Sequence, residues 1–339
     1  DEACEIRNMT KNIPTFLKIL RKLFKNSRRI KNLVYKEHFR PFISEINGNT
    51  LYILEAGDQY CELGEHRFFY GLLNQIIQKR GAKSVMMGCT INPDLLEDIT
   101  LVNDIKKYSL VVARESITYT ALKNVGIKKL LMAPCPAFLM ETKKIDLPEW
   151  MNSRKFVGFN VGFLQQGNEK YYDIVMKNYF NAIKMLIEKT DLHIALIPHV
   201  NWGYETTDFT ALDELYRYFK SSGRIHYILE HSAPEQRYII SKSVAFVALR
   251  THAAISGIAT YTPTLITGYK TKSKGIAKDV FGEMFDMLAD VQSLISEQII
   301  SEKLMEIIKS EREIRKFLET KIPDYYKDFY AVVKEISKL

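Results

Sequence analysis

The 339-residue chain has few cysteines, no long apolar run and none of the compact glycine motifs that mark nucleotide sites. Its four cysteines are Cys4, Cys61, Cys89 and Cys135, and no two lie within four residues of each other. That spacing writes no zinc knuckle and no CxxC redox pair. So few thiols in a chain of this length fit a reducing compartment and a fold held by its hydrophobic core. No stretch approaches the roughly 18 unbroken apolar residues of a spanning helix, which argues against an integral membrane protein. The opening Asp1-Glu2-Ala3-Cys4 is charged and polar, unlike a signal peptide. It lacks an initiator Met, which leaves a missing native N-terminus open. No GxGxxG follows a strand, which disfavours a nicotinamide enzyme. No GxxxxGK[ST], GxSxG, HExxH or EF-hand pattern occurs either. Internal repeats and low-complexity tracts are also missing.

What is present is globular in proportion. Hydrophobic residues make up 46% and charged residues 26% of the chain, which excludes wholesale disorder, collagen-like repeats and a coiled-coil rod. At about 100–200 residues per domain, the length predicts two domains. Lys and Arg exceed Asp and Glu by 48 − 40 = 8. That excess permits an anionic partner (nucleic acid, a lipid surface or a phosphorylated substrate) without naming one.

The most biased segment is 11–31. It carries Lys11, Lys18, Arg21, Lys22, Lys25, Arg28, Arg29 and Lys31 and no acid. Ile13, Phe16, Leu17, Leu20, Leu23 and Phe24 recur at helical spacing, with the basic residues on the other face. The pattern predicts a basic amphipathic helix over about 15–30, beginning near Pro14 and Thr15. Such a helix can lie on an anionic bilayer, or it can pack its stripe on the protein and leave the basic face solvated.

From residue 50 onward, strands and helices alternate. Strands are expected at 51–54, 84–87, 109–113 and 129–132, with helices at 67–79, 94–107 and 116–123, the last capped by Ser116 and stopped by Gly126. The polar stretch from Glu141 to Arg154, which holds Pro148, reads as a linker. A second series follows, with strands at 156–160, 193–197, 226–229, 243–249 and 262–267 and helices at 171–189, 209–222 and 233–241; residues 291–337 read as mostly helical with a break at Pro323. The alternation predicts an α/β protein of two Rossmann-like, doubly wound parallel-sheet domains facing a cleft, divided at 145/146. The C-terminal helices belong to the second domain in this reading.

Open α/β sheets bind ligands at the carboxyl ends of their strands. Here those ends carry Arg114-Glu115, Asn160, Pro198-His199 and Arg250-Thr251-His252. His252 is followed by Ala253-Ala-Ile-Ser-Gly257, a small-residue run that opens a helix whose N–H groups favour an anion. Arg250 adds a fork of donors, and His252 is placed for proton transfer near neutral pH. Downstream, Tyr269-Lys-Thr-Lys272-Ser-Lys274-Gly275 has the makings of an anion-clasping loop.

These residues resemble the polysaccharide pyruvyl transferase family over about residues 50–285. The segment Arg250-Thr-His252 through Pro263, then Tyr269 to Gly275, is similar to the family's R-x-H, small-residue helix, x-P and Y-x-x-K-x-x-G. Arg114-Glu-Ser116 with Leu122 and Gly126 resembles R-E/D-x-x-S-x-x-x-L-x-x-x-G. Ala133-Pro-Cys-Pro136-Ala-Phe138 resembles the D-P-A-F step, with its acid replaced around Pro134-Cys135. Gly88 to Pro93 resembles G-x-S-I-x-P, and Val157-Gly-Phe-Asn160 and Pro198-His199 match further strand ends. The family's glycine-rich strand end appears only as Ala56-Gly57-Asp58. Its opening N-x-G-D strand is missing, with Asp1-Glu-Ala3 as a candidate remnant.

The resemblance implies a GT-B-like fold and transfer of pyruvyl from phosphoenolpyruvate to two hydroxyls of a glycan sugar, forming a cyclic ketal in cell-surface polysaccharide synthesis. It implies Arg250 and His252 as catalytic. Arg114, Thr251 and Lys272 join them on the donor, and Glu115, His199 and Asn160 take acceptor or supporting places. It calls for no metal and no cofactor beyond phosphoenolpyruvate as co-substrate. The partners expected are a glycan acceptor, which could be lipid-linked, and an anionic membrane surface, with no nucleic acid; the expected location is cytoplasmic, peripheral on the inner membrane face. Two alternatives stay open on the residues alone. One is a GT-B glycosyltransferase using a nucleotide sugar; the other is a non-enzymatic binder of anionic polymer.

Overall fold

The computed structural model describes residues 12–24, 27–55, 57, 60, 65–162, 164, 168–200, 208–229 and 231–339. Asp1–Cys4, Lys11, Lys25, Ala56, Asp58 and Cys61 lie outside the described residues. Helix α1 (Thr15–Leu23) starts behind Pro14 and gives way at Phe24, where φ is −119°. Helix α2 (Arg28–His38) starts afresh from Ser27, an extended N-cap whose hydroxyl accepts from the Ile30 amide at 3.5 Å. The single helix expected over 15–30 is therefore two, because Ser27 offers its own oxygen to the next helix and takes a non-helical backbone to do so.

After α3 (Arg40–Glu45) come β1 (Leu51–Glu55), α4 (Glu65–Lys79), β2 (Lys83–Cys89), α5 (Ile99–Ile105), β3 (Leu110–Ala113), α6 (Ser116–Asn124) and β4 (Leu130–Met132). The four strands pair in parallel in the order β1-β2-β3-β4. The helix expected over 94–107 is a 3-10 turn at Pro93–Glu97 followed by α5. They separate at Asp98, whose carboxylate accepts from the amides of Thr100 at 2.8 Å and Leu101 at 3.4 Å. The cap of α6 is Glu115 and not Ser116: in its extended backbone, the longer acid reaches forward to the amides of Ile117 and Thr118.

The second series runs α7 (Glu149–Ser153), β5 (Phe156–Asn160), α8 (Tyr172–Lys189), β6 (His193–Leu196), α9 (Phe209–Phe219), β7 (Ile225–Tyr227), α10 (Ala233–Ile240), β8 (Ala245–Ala248), α11 (Thr251–Ala259), β9 (Thr264–Ile266) and α12 (Thr271–Phe281). Its five strands are all parallel, in the order β7-β6-β5-β8-β9. Central strands β5 and β8 are buried throughout, as a parallel sheet covered on both faces requires. The first strand of the series lies in the middle, and its neighbours were laid down in opposite directions. The order therefore reverses between β5 and β8, which is the switch point where doubly wound sheets hold ligands.

Helices α13 (Ile299–Lys309), α14 (Glu311–Tyr325) and α15 (Lys327–Ile336) close the chain. The expected break at Pro323 falls two residues later, since a proline in the last turn costs only one helical N–H. The Tyr269–Gly275 stretch is likewise the start of a helix more than a loop: α12 begins at Thr271, so Lys272, Ser273 and Lys274 lie in its first turn.

The chain divides into two units. One holds the described residues up to Ala133 together with Ala331–Leu339, and the other is Pro134–Tyr330. The reading at 145/146 places the 134–145 stretch with the first unit, whereas contacts place it with the second. The reason is Arg237, a buried guanidinium on α10 that donates to the carbonyls of Ala137, Phe138 and Met140. Tyr326 donates to the Phe138 carbonyl at 3.1 Å, and Phe138 sits in the second unit's core. The expected linker is tied down too, as the Lys143 amide donates to the Pro234 carbonyl at 3.0 Å and Trp150 of α7 packs on the core.

Candidate functional site

The switch point of the second sheet is built around a carboxylate that sequence reading did not single out. Asp208 precedes the apolar run of α9 and reads as an ordinary helix cap. Its side chain makes no cap bond. It is fully buried and turns instead toward the strand ends. Oδ2 accepts from Asn160 Nδ2 at 2.9 Å, from the His199 amide at 2.8 Å and from the Val200 amide at 3.0 Å. Oδ1 accepts from Arg250 Nε at 2.8 Å. Four donors satisfy both oxygens, which is what a charge without water needs.

Asn160, the last residue of β5, completes the junction. Its amide also donates to the Ile197 carbonyl at 3.0 Å, and its Oδ1 accepts from the Arg250 amide at 3.0 Å. One side chain thus joins the ends of β5, β6 and β8. Its carbonyl accepts from the Tyr179 hydroxyl at 3.0 Å, which also meets Thr267 Oγ1 at 2.6 Å beyond β9. Burial pushes the Tyr179 hydroxyl far above the ordinary tyrosine pKa, so it stays a neutral hydrogen-bonding group. Gly162 was also missed. A Cβ there would lie 2.0 Å from Asp208 Oδ1 and 2.7 Å from Arg250 Nη2, so only glycine admits the ion pair.

Among the residues expected from sequence, Asn160, His199 and Arg250 therefore come together through Asp208. Arg250 is the N-cap residue of α11, Thr251 is its first helical residue and is buried, and His252 follows on an exposed position. Cys135 Sγ lies 4.0 Å from His252 Nε2. The buried Ala253, Ala254, Ser256 and Gly257 let α11 press on the sheet, and its first amides open toward the end of β8. Lys272 stands half-buried in the first turn of α12, and the neighbouring Lys274 pairs with Asp290 at 2.8 Å.

His199 sits where its imidazole is largely desolvated, and its Nδ1 meets no hydrogen-bond partner among the described residues. Burial holds its pKa below the ordinary histidine value. Asp208 and Gln236 pull it upward, while Arg250 and Arg237 push it further down. The net result is a neutral imidazole beside the ion pair.

Arg114 and Glu115 belong to the first unit and form that sheet's own strand-end junction. Arg114 is buried, its Nε donating to Thr90 Oγ1 at 2.7 Å and its amide to the Cys89 carbonyl at 3.2 Å. Glu115 is fully buried with its carboxylate on the first amides of α6. Thr118 on that helix takes the Ile91 amide at 3.0 Å, so the β2 and β3 ends are locked together. A cavity of about 780 Å³ between α8 and α13, lined in part by Met185, Phe285 and Ile307, shares no residue with either junction.

Comparison with known proteins bears on both fold and family. A family model described as polysaccharide pyruvyl transferase matches residues 2–271. No curated protein matches the sequence. Among solved structures, an alpha,alpha-trehalose-phosphate synthase (UDP-forming) from Burkholderia vietnamiensis superposes with a TM-score of 0.56 at 10% identity, covering 94% of this chain and 78% of that one. The S. aureus MnaA–UDP co-structure gives 0.57 at 14% identity, over 91% and 78% of the two chains. A UDP-N-acetylglucosamine 2-epimerase assigned in Listeria monocytogenes gives 0.57 at 11%, over 92% and 81%. At these identities the likeness shows the fold alone, a GT-B-like fold with two Rossmann-like domains.

Two predictions follow from this geometry. Asp208→Ala breaks the buried ion pair with Arg250 and is expected to lower stability by about 3–5 kcal/mol, read as a fall in the urea midpoint. For His199, the folded pKa lies below the unfolded value of about 6.5. The unfolded chain then binds a proton the folded chain refuses, so this stability is present above about pH 6.5 and lost as pH falls through the depressed folded pKa. In His199→Gln, the urea midpoint should fall less between about pH 7.5 and pH 5 than in the wild type; an unchanged slope would show that His199 does not contribute.

Proposed function

The chain belongs to the polysaccharide pyruvyl transferase family, and on that premise we propose that it moves the pyruvyl group of phosphoenolpyruvate onto two hydroxyls of a glycan sugar. The product is a cyclic ketal, and phosphate is released. The observation that carries this reading is the sequence Arg250-Thr251-His252 at the sheet's switch point, with the Arg250 side chain oriented by Asp208 and the helix α11 amides beside it.

Phosphoenolpyruvate brings a carboxylate and a phosphate, and a site for it needs preorganised cations and N–H donors. Arg250, the start of α11 and Lys272 supply them in the second unit. His252 is the acid/base group. It delivers a proton to the methylene carbon as the double bond opens, leaving an oxocarbenium-like centre at the neighbouring carbon. One sugar hydroxyl attacks that carbon, the C–O bond to phosphate breaks, and the second hydroxyl closes the ring. Of the two hydroxyl protons, one is accounted for on the new methyl group and the other on the released phosphate. His252 exchanges protons in both stages. Asn160 and Asp208 hold the cation, and the neutral His199 takes a supporting place.

The acceptor reading extends to where the glycan is held. We propose that α1 and α2 seat the protein on an anionic membrane surface, where a lipid-linked glycan would present its hydroxyls on the cytoplasmic face. Among the described residues, no helix is long and apolar enough to cross a membrane. In α1 and at its C-cap, Leu17 is buried at 3% exposure, yet Phe16, Ile19, Leu23 and the cap residue Phe24 remain 60%, 52%, 70% and 52% exposed. Lys18 and Lys22 are exposed beside them, and Arg28 and Arg29 open α2. Exposed apolar residues flanked by cations are what an interfacial helix presents to acidic headgroups.

Thermal unfolding tests the donor. Phosphoenolpyruvate at 100 times its dissociation constant should add about 2.7 kcal/mol of stability, a gain that disappears in Arg250→Ala. Stabilisation by a UDP- or GDP-sugar but not by phosphoenolpyruvate would replace this reading with glycosyl transfer. Flotation tests the surface: binding to vesicles containing phosphatidylglycerol, absent with neutral vesicles and lost in Lys22→Glu with Arg29→Glu, is the expected result. Binding indifferent to lipid charge or to that double substitution would remove the membrane from the picture.

A further inference from the structure

We propose that Cys135 is a positioning residue for His252: its thiol donates to Nε2 and holds the imidazole in one orientation and one tautomer. The inference rests on the reading of His252 as the acid/base group, and it names the residue that makes that group ready.

Cys135 is buried and stands at the start of the short 3-10 helix Pro136–Leu139, with its sulfur 4.0 Å from His252 Nε2. The two residues are 117 positions apart in the chain, so this approach is made by the fold. What makes it is the clamp on the 3-10 helix. Arg237 gathers the carbonyls of Ala137, Phe138 and Met140, and Tyr326 takes that of Phe138 as well. The sulfur is thereby fixed against the first turn of α11. The ring is exposed, whereas the sulfur is not. A side chain in an exposed position is fixed by the contacts it makes, and for His252 the Cys135 sulfur is one of them.

The chemistry of the anchor is specific. A thiol is a weak donor and brings a small, soft surface, and an S–H pointed at a neutral imidazole leaves the ring's own proton on Nδ1. The cations nearby, Arg237 on α10 and Arg250 at the head of α11, are each engaged elsewhere, on carbonyls and on Asp208 respectively. In the sequence, Cys135 occupies the step where the pattern Asp-Pro-Ala-Phe has its acid, ahead of Pro136-Ala137-Phe138. A thiol there orients the imidazole without pairing a negative charge to it.

The test uses the full chain without substrate. Nitrogen-15 spectra of the imidazoles at about pH 8.5, where an ordinary histidine is neutral, should show wild-type His252 as a single Nδ1–H tautomer. Cys135→Ala should move it to a mixture, while Cys135→Ser, whose shorter Cβ–O bond leaves the hydroxyl further from Nε2 than the 4.0 Å sulfur, should restore it only in part. In turnover with phosphoenolpyruvate, Cys135→Ala should lower kcat by about ten- to a hundred-fold with KM nearly unchanged, and Cys135→Ser should recover part of the loss. His252 resonances identical in all three proteins, or a mixed tautomer in the wild type, would overturn the inference. A wild type that shows the tautomer signature but transfers no pyruvyl group would overturn the proposed function and leave the Cys135–His252 pairing standing.

Discussion

One buried carboxylate organises the second unit's strand ends. Asp208 lies without solvent and is held by four donors from three separate segments. Each donor alone would be a modest bond. Together they are obligatory, since an ionised carboxylate in a low-dielectric site is costly unless both oxygens are satisfied. Its consequences spread outward. Gly162 can carry no side chain, Asn160 must span β5, β6 and β8, and Arg250 must leave its strand with its Nε turned toward the sheet.

That arrangement explains how a guanidinium can be preorganised beside a helix N-terminus. Arginine is costly to order when its side chain is free to rotate. Here Asp208 has already ordered it at folding, so under the proposed transfer an anionic donor at α11 would find the cation in place. The cost of orienting the guanidinium is met in the stability of the sheet, before any ligand binds. The same logic holds on the neighbouring face of α11. Arg237 and Tyr326 hold the 3-10 helix at Pro136–Leu139, and that helix places Cys135 beside His252.

The first unit repeats the theme with other residues. Buried Arg114 and Glu115 close the β2 and β3 ends through Thr90 and the start of α6. Charged groups at sheet ends can be read as ligand contacts or as structural closures. Glu115 has both oxygens on helix amides, so it caps α6.

Local chemistry made much of the fold legible. Apolar runs bounded by turn residues mark all nine strands of the described residues within two residues of their true bounds, and the alternation with helices is enough for two parallel sheets, because each βα step is decided by short-range pattern. Arg250, His252, Asn160 and His199 could be picked out because they stand where strands end, and Gly257 within a small-residue run marks close helix packing. Other features could not be read this way. Asp208 looks like any residue before a helix, and only the folded chain shows its carboxylate turned away from α9 to Arg250. Ser27 and Asp98 divide expected helices because side-chain caps compete with helical continuation at places periodicity does not report. Cys135 and His252 meet across 117 residues, and the 134–145 stretch joins the second unit through Arg237. Periodicity and caps are local quantities that sequence carries. Which buried charge finds which partner is set by long-range packing, and the tertiary structure alone decided it.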